Sequence, residues 1–463
     1  MAQQGKSVAE PLRWPLLVQP ANRDAPTTTD AKIVNGYVDR EEDGDYWVFK
    51  RAGTLVNTDL PAGQGNGIVQ WNGVLYSVVA NTFYVGTTST GTVDTTHRYT
   101  FNMQIGGTPK LFLKNTAAAY GYSSGTGLIK VTDPNYPATT VPGSAYLDGT
   151  MYVMDPTAQI WGSNINDFTT WNALNVIRAQ IEPDQGVAIG KQLVYVIAFK
   201  QWTTEVFFDA ANATGSPLSP VQGAKVNFGC VNGDSVVDVE GVLIWLAQSK
   251  GGSMVMQLDN LKATQISTRA IDRILDEMDT TSVYAWWYKH DGHKFYVLTF
   301  KNNNITLAYD FRERMWCQFT YNSGANENYY PIVSSTWSGI TNLAQGELDG
   351  NIYTIDSAYF TDNGNQITFD LVTPNFDGGN KRKKYLKMID FIGDQIPGSL
   401  LYVRNSDDDY QTWSNFRTVD LSRKRPYLKN CGTFRKRAYE LRHIANTRMR
   451  LKSMDLQIDQ GTL

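Results

Sequence analysis

Helical periodicity is nearly missing from this 463-residue chain. Only Ile271, Ile274, Leu275 and Met278, behind Ser267-Thr268 as a capable N-cap, repeat at i, i+3, i+4 and i+7, so one short amphipathic helix is expected. Charge is sparse as well: Asp, Glu, Lys and Arg make up 19% of the residues while aromatics reach 12% and glycines number 39, a balance that favours strands and turns. Cysteine is confined to Cys230, Cys317 and Cys431, far apart and odd in number, which argues against a disulfide framework and a thiolate zinc site. Histidine is confined to His97, His290, His293 and His443, and no Ser-His-Asp arrangement has a usable spacing. The longest strongly apolar stretch, residues 193–199, is far too short to span a bilayer, so no stable membrane insertion is expected. The first 17 residues lack an apolar core and carry Pro11 and Pro15, unlike a secretory signal; synthesis and residence in a reducing cytoplasm are expected.

What the chain does have is a recurring phrase, a turn ending in Gly followed by an alternating run of β-branched and aromatic residues. It occurs as Trp71-Asn72-Gly73-Val74-Leu75-Tyr76, Leu147-Asp148-Gly149-Thr150-Met151-Tyr152, Glu240-Gly241-Val242-Leu243-Ile244-Trp245, Asp291-Gly292-His293-Lys294-Phe295-Tyr296 and Leu348-Asp349-Gly350-Asn351-Ile352-Tyr353. A weaker copy is Ile189-Gly190-Lys191-Gln192-Leu193-Val194-Tyr195, and a degenerate unit fits around residues 114–122. Asn-Gly and Asp-Gly suit the positive φ of tight hairpin turns, so each copy reads as one hairpin. A repeat of roughly 40 to 50 residues holding several short strands points to a β-propeller. The expected fold is therefore all-β: about six to seven irregular blades over residues 54–364, preceded by an arm and opening strands (1–53) and followed by a basic β-sandwich-like domain (365–463) joined near residues 374–380. Residues 1–30, without periodicity, read as an extended arm that orders only against something else.

Several motifs invite chemistry. Ser406-Asp407-Asp408-Asp409-Tyr410-Gln411-Thr412-Trp413 has the form of an Asp box with Tyr410 in place of Gly, and residues 163–171 are a looser relative through Asp167, Thr170 and Trp171. In such a hairpin Asp408 ties down the turn while Trp413 packs beneath it, a structural task. Asp boxes occur in sialidases, but a sialidase needs an arginine cluster and a Tyr nucleophile, and arginines are sparse between residues 54 and 364, with several of them, Arg269, Arg273, Arg312 and Arg314, crowded into one stretch. No enzyme activity, cofactor or metal is expected: Asp407-Asp408-Asp409 lacks EF-hand spacing, His290 and His293 flank a hairpin turn without a third ligand, and residues 63–67 have the glycines of a phosphate loop without its Lys-Ser/Thr.

Charge is distributed unevenly along the chain. Residues 381–463 hold 18 Lys and Arg against 9 Asp and Glu, leaving 24 against 36 in residues 1–380. Arg435, Lys436, Arg437, Arg442, Arg448, Arg450 and Lys452 alternate with apolar residues, as in Arg448-Met449-Arg450-Leu451-Lys452, and are the expected partner-docking residues. An acidic-rimmed protein is the favoured partner, and phosphate binding is open.

Several segments together resemble the podovirus tail nozzle or packaged-DNA stabilisation proteins. These are Asn35-Gly36-Tyr37-Val38-Asp39 followed by Lys50-Arg51-Ala52-Gly53, with Ala52 where Pro is common; Ile266-Ser267-Thr268-Arg269-Ala270-Ile271; and Trp413-Ser414 through Gly432-Thr433-Phe434-Arg435-Lys436-Arg437. The resemblance implies a structural virion protein of a short phage tail. It implies a homo-oligomeric ring, a hexamer, below the portal and adaptor, with a tail fibre or spike as neighbour and genomic DNA passing through the lumen. The alternative is a glycan-binding or sialidase-like propeller.

Overall fold

The computed structural model describes residues 12–20, 31–42, 44–322, 326–337, 339, 341–347 and 349–460. The molecule is all-β and divides into two compact units, one of Thr54–Phe311 with Glu327–Asp356, the other of Met1–Gly53, Arg312–Asn326 and Ser357–Leu463. These units cut the chain differently from the three consecutive segments expected from the sequence, because the N-terminal strands, residues 312–326 and the C-terminal region form one body.

The first unit is a β-propeller. Four antiparallel four-stranded sheets follow one another from Gly65–Trp71 to Thr88–Thr92, Thr100–Gln104 to Gly127–Lys130, Ala145–Leu147 to Asp167–Arg178, and Gly186–Gln192 to Leu218–Pro220. A five-stranded sheet spans Gly229–Cys230 to Lys262–Gln265. Then come the strands Val283–His290, His293–Phe300 and Ile305–Asp310, and a set from Pro331–Trp337 to Ile352–Asp356 that pairs with Gly53–Thr58 and so joins the two ends of the propeller. This falls within the expected range of six to seven blades. The unit suspected around residues 114–122 is the hairpin between Lys110–Lys114 and Ala119–Ser123.

Strand alternation builds the core between successive sheets. Leu111 and Leu113 pack with Tyr76, Val78 and Phe83 of the preceding sheet, while Phe112 packs with Met151, Val153 and Phe168 of the following one. Val196 and Ala198 likewise face backward onto Tyr152 and Ile160, and Ile197 and Phe199 forward onto Leu243 and Trp245. Successive side chains of a strand point to opposite faces, so one fully apolar strand serves two interfaces.

The turns behave as the phrase demands. Asn72-Gly73 (φ 48° and 72°), Asp148-Gly149 (46° and 87°), Glu240-Gly241 (53° and 88°) and Asp291-Gly292 (46° and 78°) have positive φ at both central positions, the requirement of a type I′ hairpin. Each joins two consecutive antiparallel strands of its sheet. Two copies differ. Gly190 lies inside Gly186–Gln192, packed near Phe199 and Leu243, and the turn is Leu193-Val194. Gly350 (φ 68°) lies between Thr341–Gly346 and Ile352–Asp356, one hairpin later in its sheet, while Leu348 of that copy is outside the described residues. The expected helix runs Arg269–Asp276, with the Thr268 hydroxyl accepting from the Ile271 N–H and Ile271 and Leu275 buried.

The second unit contains a seven-stranded sheet in which Gly36–Arg40, Tyr46–Lys50, Arg450–Gln460, Lys384–Gly393 and Tyr427–Lys429 are successive neighbours, Leu12–Arg13 pairs Arg450–Gln460 and Thr433–Phe434 pairs Lys384–Gly393. Its other strands run Met315–Asn322, Lys32–Val34, Phe369–Val372, Ala438–His443, Leu400–Ser406 and Arg417–Asp420. Between the layers Trp14 sits 5.2 Å from Phe376 and 4.8 Å from Tyr439, ring centre to ring centre, and donates its indole N–H to Thr373 Oγ1 at 3.0 Å. Within the expected arm Leu12–Arg13 is a short strand and residues 14–20 continue from it as a packed segment with Trp14, Leu16 and Val18 buried; residues 1–11 and 21–30 lie outside the described residues. Leu12 and Arg13 pair with Leu456 and Asp455 of the chain's own C-terminal strand, and alternate side chains beyond them, Trp14, Leu16 and Val18, are buried.

Candidate functional site

The propeller axis holds two cavities, of about 630 and 550 Å³, and Arg98 and Asp234 line both. Arg98 precedes the strand Thr100–Gln104 and reaches across the axis. Its Nε donates to Asp234 Oδ1 at 3.4 Å, Nη2 to the Asp234 carbonyl at 2.9 Å, and Nη1 to the carbonyls of Ile332 at 2.5 Å and Ala285 at 3.4 Å, with Tyr284 stacked 5.2 Å from the guanidinium. A planar fork with five donors can satisfy acceptors from several blades at once, which a lysine cannot do. The sequence carries no local signal for Arg98: its role comes from four partners more than 130 positions away.

Buried amides and ammonium groups tie neighbouring blades. Gln192 donates to the carbonyls of Gly241 (3.0 Å) and Leu258 (2.6 Å) and accepts from the Leu261 N–H; Gln104 does the same with the Asn166 carbonyl (2.6 Å) and the Phe168 N–H. Lys114, with no exposed surface, donates to the carbonyls of Val141 (2.6 Å) and Gly143 (2.9 Å), and burial pushes its pKa down to about 7. Lys200 is held between Asp184 and Glu205, each at 2.6 Å. The cue in sequence was a lone lysine ending an apolar strand, as in Tyr195–Lys200.

In the second unit the expected docking residues come together, but largely as partners of the chain's own carboxylates. Lys436 meets Asp409 at 2.6 Å, Arg437 meets Asp407 at 2.5 Å, Arg442 meets Asp370 at 2.6 Å, Arg448 and Arg450 share Asp394 at 3.0 and 2.6 Å, and Lys452 meets Glu41 at 2.9 Å and Asp45 at 3.1 Å. Arg435 donates to the Lys381 carbonyl at 3.0 Å. The alternation is as expected, with Met449 and Leu451 buried, yet the surface it offers is mostly neutralised from within. Asp370, Glu41 and Asp45 reach these cations from outside the basic stretch, while Asp394, Asp407 and Asp409 lie within it.

The opening motif also acquires a structural meaning. The Arg51 guanidinium and the Asp362 carboxylate, each 1% exposed, form a two-pronged ion pair at 2.9 and 2.5 Å. Arg51 further donates to Asn35 Oδ1 (2.8 Å) and the Thr320 carbonyl (2.9 Å), and Asn35, at φ 53°, donates to Thr320 Oγ1 (2.6 Å) and the Thr368 carbonyl (2.8 Å). Three separate stretches of chain are joined at this node.

A family profile described as bacteriophage P22 Gp10, β-propeller, matches residues 20–359. The chain belongs to this family of phage structural tail proteins. No curated protein sequence matches it. Among solved structures the Gp10-family chain is similar to a virginiamycin B lyase from Staphylococcus aureus (9% identity, 66% of this chain and 98% of that one, TM-score 0.44) and to BamB from Moraxella catarrhalis (10% identity, 66% and 99%, TM-score 0.38).

The remaining candidate residues of this Gp10-family member are structural in their geometry. Asp408 Oδ1 accepts from Ser406 Oγ (2.8 Å) and the Thr412 N–H (2.9 Å), Oδ2 accepts from Thr412 Oγ1 (2.5 Å), and these bonds draw the carboxyl down to about 2. Tyr410 adopts the glycine-like φ of 67°, buries its ring beside Trp413 and donates its hydroxyl to the Thr373 carbonyl at 3.1 Å. In the looser copy Asp167 accepts from the Thr169 N–H (3.1 Å) and Thr170 Oγ1 (3.1 Å), with Trp171 buried. His290 and His293 face each other across the hairpin, and His293 Nδ1 is 2.7 Å from Asp310. Among the described residues no group of three or more His, Cys, Asp or Glu is placed to hold a metal, and no helix is long and apolar enough to cross a membrane. Arg269 and Arg273 belong to the propeller, whereas Arg312, 3.2 Å from Asp39, and Arg314 belong to the other unit.

Proposed function

We propose that the chain is the tail nozzle subunit of a short-tailed phage, a non-enzymatic protein made in the bacterial cytoplasm and built into the virion. In this reading copies form a ring, a hexamer, that docks below the portal and adaptor, meets a tail fibre or spike, retains the packaged DNA and forms the conduit for ejection. The family match carries the proposal, since a propeller by itself is shared by enzymes, binding modules and scaffolds. The axis supports it: Arg98 bars passage through one propeller, so a conduit has to be enclosed by several copies around a symmetry axis. Electron microscopy of the infectious particle tests this, with density for a ring of this chain at the tail expected; finding the chain only as isolated monomers, or missing from the particle, rejects it.

A second reading has one observation in its favour. Phe101, Trp286 and Trp287 line the 630 Å³ cavity beside Asn102 and Asp238, the mixture of flat apolar and polar groups that suits a sugar ring. Retention on a glycan array, lost on Trp287→Ala, would favour it over the nozzle.

A further inference from the structure

Asparagine is followed by glycine at five points of the chain: Asn35-Gly36, Asn66-Gly67, Asn72-Gly73, Asn232-Gly233 and Asn363-Gly364. Glycine has no Cβ, so its backbone nitrogen stands unshielded beside the preceding side chain. Attack by that nitrogen on the asparagine Cγ forms a C–N bond and breaks the bond from Cγ to its NH2 group, which takes the glycine N–H proton and leaves as ammonia. The five-membered succinimide that remains is opened by one water at either carbonyl, giving aspartate or isoaspartate, and no other reactant is needed. The fold decides where this happens, because the asparagine amide has to be free and the peptide group behind it has to rotate until its nitrogen faces Cγ.

Three of the five pairs are denied both conditions. Asn35 is 1% exposed, its amide donates to Thr320 Oγ1 and the Thr368 carbonyl, and its own carbonyl accepts from the Arg51 N–H at 2.9 Å. Asn66, buried, donates to the Ala80 carbonyl at 3.0 Å, its carbonyl accepts from the Tyr99 N–H at 2.7 Å, and the nitrogen that would attack, that of Gly67, donates to Gln345 Oε1 at 3.3 Å. Asn232, half-buried, donates to the Thr280 carbonyl (3.0 Å) and accepts from the Asp234 N–H (2.9 Å), while its carbonyl accepts from Ser235 Oγ at 2.6 Å. The glycines are hemmed in as well: a Cβ on Gly36 would lie 2.5 Å from the Phe369 ring, on Gly67 2.7 Å from the Phe101 ring, and on Gly233 2.6 Å from the Val187 carbonyl.

The other two pairs meet both conditions. Asn72-Gly73 joins Gly65–Trp71 to Val74–Val79, and Asn363-Gly364 joins Thr361–Asp362 to Asn365–Gln366, each with positive φ at both positions. All four residues are exposed, and neither asparagine side chain forms a hydrogen bond among the described residues. Beyond the chain neighbours nothing lies within 4 Å of the place a Cβ would take on Gly73 or Gly364. A turn with so little packed against it opens at small cost, and its peptide group can rotate without disturbing a core.

We propose that Asn72 and Asn363 are sites of spontaneous modification to aspartate and isoaspartate in the folded chain, while folding shields Asn35, Asn66 and Asn232. Each event adds a carboxylate to an exposed turn, and the isoaspartate product adds one backbone carbon to a hairpin whose strands that turn holds in register. The inference is independent of the nozzle reading. The test incubates the full purified chain at mildly alkaline pH, one portion folded and one in concentrated urea, and follows the five sites by peptide mapping with mass detection. In the folded portion Asn72 and Asn363 should lose their amides at least about tenfold faster than the three shielded sites, which react only through local opening. In urea the five should converge, and isoaspartate should accompany aspartate at both open turns. Three results overturn the assignment: Asn35, Asn66 or Asn232 reacting in the folded portion as fast as Asn72, Asn72 and Asn363 intact there when the urea portion has converted, or aspartate formed without isoaspartate, which would mean direct hydrolysis of the side chain.

Discussion

At the scale of single residues, the buried Arg51–Asp362 pair is the most exposed to test. A charge left alone at 1% exposure has neither water nor counter-ion, and breaking such a pair costs about 3–5 kcal/mol. Asp362→Ala should therefore shift the denaturant midpoint strongly downward in equilibrium unfolding, whereas Asp408→Ala, on the surface, should shift it far less. His443 supplies a pH dependence. Burial, with the Lys50 charge behind it, holds its pKa near 3 against 6.5 in an open chain, so the folded state stays neutral while the unfolded state takes up a proton below about 6.5. Stability should fall as pH drops from about 6.5 toward 3, and His443→Gln should flatten part of that fall in melting curves recorded at successive pH values. Arg51 was legible only as part of a family motif, and Asp362 was not legible at all. Nothing near position 362 in the sequence points to a partner at position 51, and burial is a property of the fold.

At the scale of elements, the hairpins were the most legible feature. A type I′ turn restricts its two central residues so strongly that Asn-Gly and Asp-Gly identify it unaided. Gly190 shows where that reasoning fails. A glycine in a period-2 run can as well sit inside a strand, and here the turn falls to Leu193-Val194, residues with no turn preference. The glutamine links were invisible because their partners lie in the next sheet. Gln192→Leu leaves two carbonyls and one N–H without partners at a buried site, at about 1–3 kcal/mol for each group left unsatisfied. A clear drop in melting temperature is expected, larger than for the half-buried Gln257→Leu. The segment around Trp14 was read as an extended arm that orders only against something else, and the structure packs it on the chain's own second unit. Trp14→Ala should cost about 3–5 kcal/mol in urea unfolding, the range for a buried Trp or Phe reduced to Ala, and a value near zero would restore the arm.

At the scale of the whole molecule, the all-β class and the propeller were readable from repetition, because every blade solves the same packing problem with the same alternation. The composition of the second unit was not. It gathers residues 31–53, 312–326 and 357–460, and sequence reading proceeds along the chain, where these stretches are far apart. Part of the charge asymmetry is offset by acids from other stretches, Asp370 on Arg442 and Glu41 on Lys452, while Asp394, which holds Arg448 and Arg450, belongs to the basic stretch itself.

The closure of the propeller by Gly53–Thr58 against Ile352–Asp356, and of the second unit by pairing Lys32–Val34 with Phe369–Val372, sets a timetable for the ribosome. Strands made first have to wait for partners made roughly 300 residues later, which at about 5–20 residues per second is about 15–60 s. During that interval their edges are open, and a nascent chain arrested before residue 340 should be digested within residues 31–58 under limited proteolysis, while one released at full length resists. If the arrested chain is equally resistant, the early strands have found a temporary shelter elsewhere, and birth order does not govern how this protein folds.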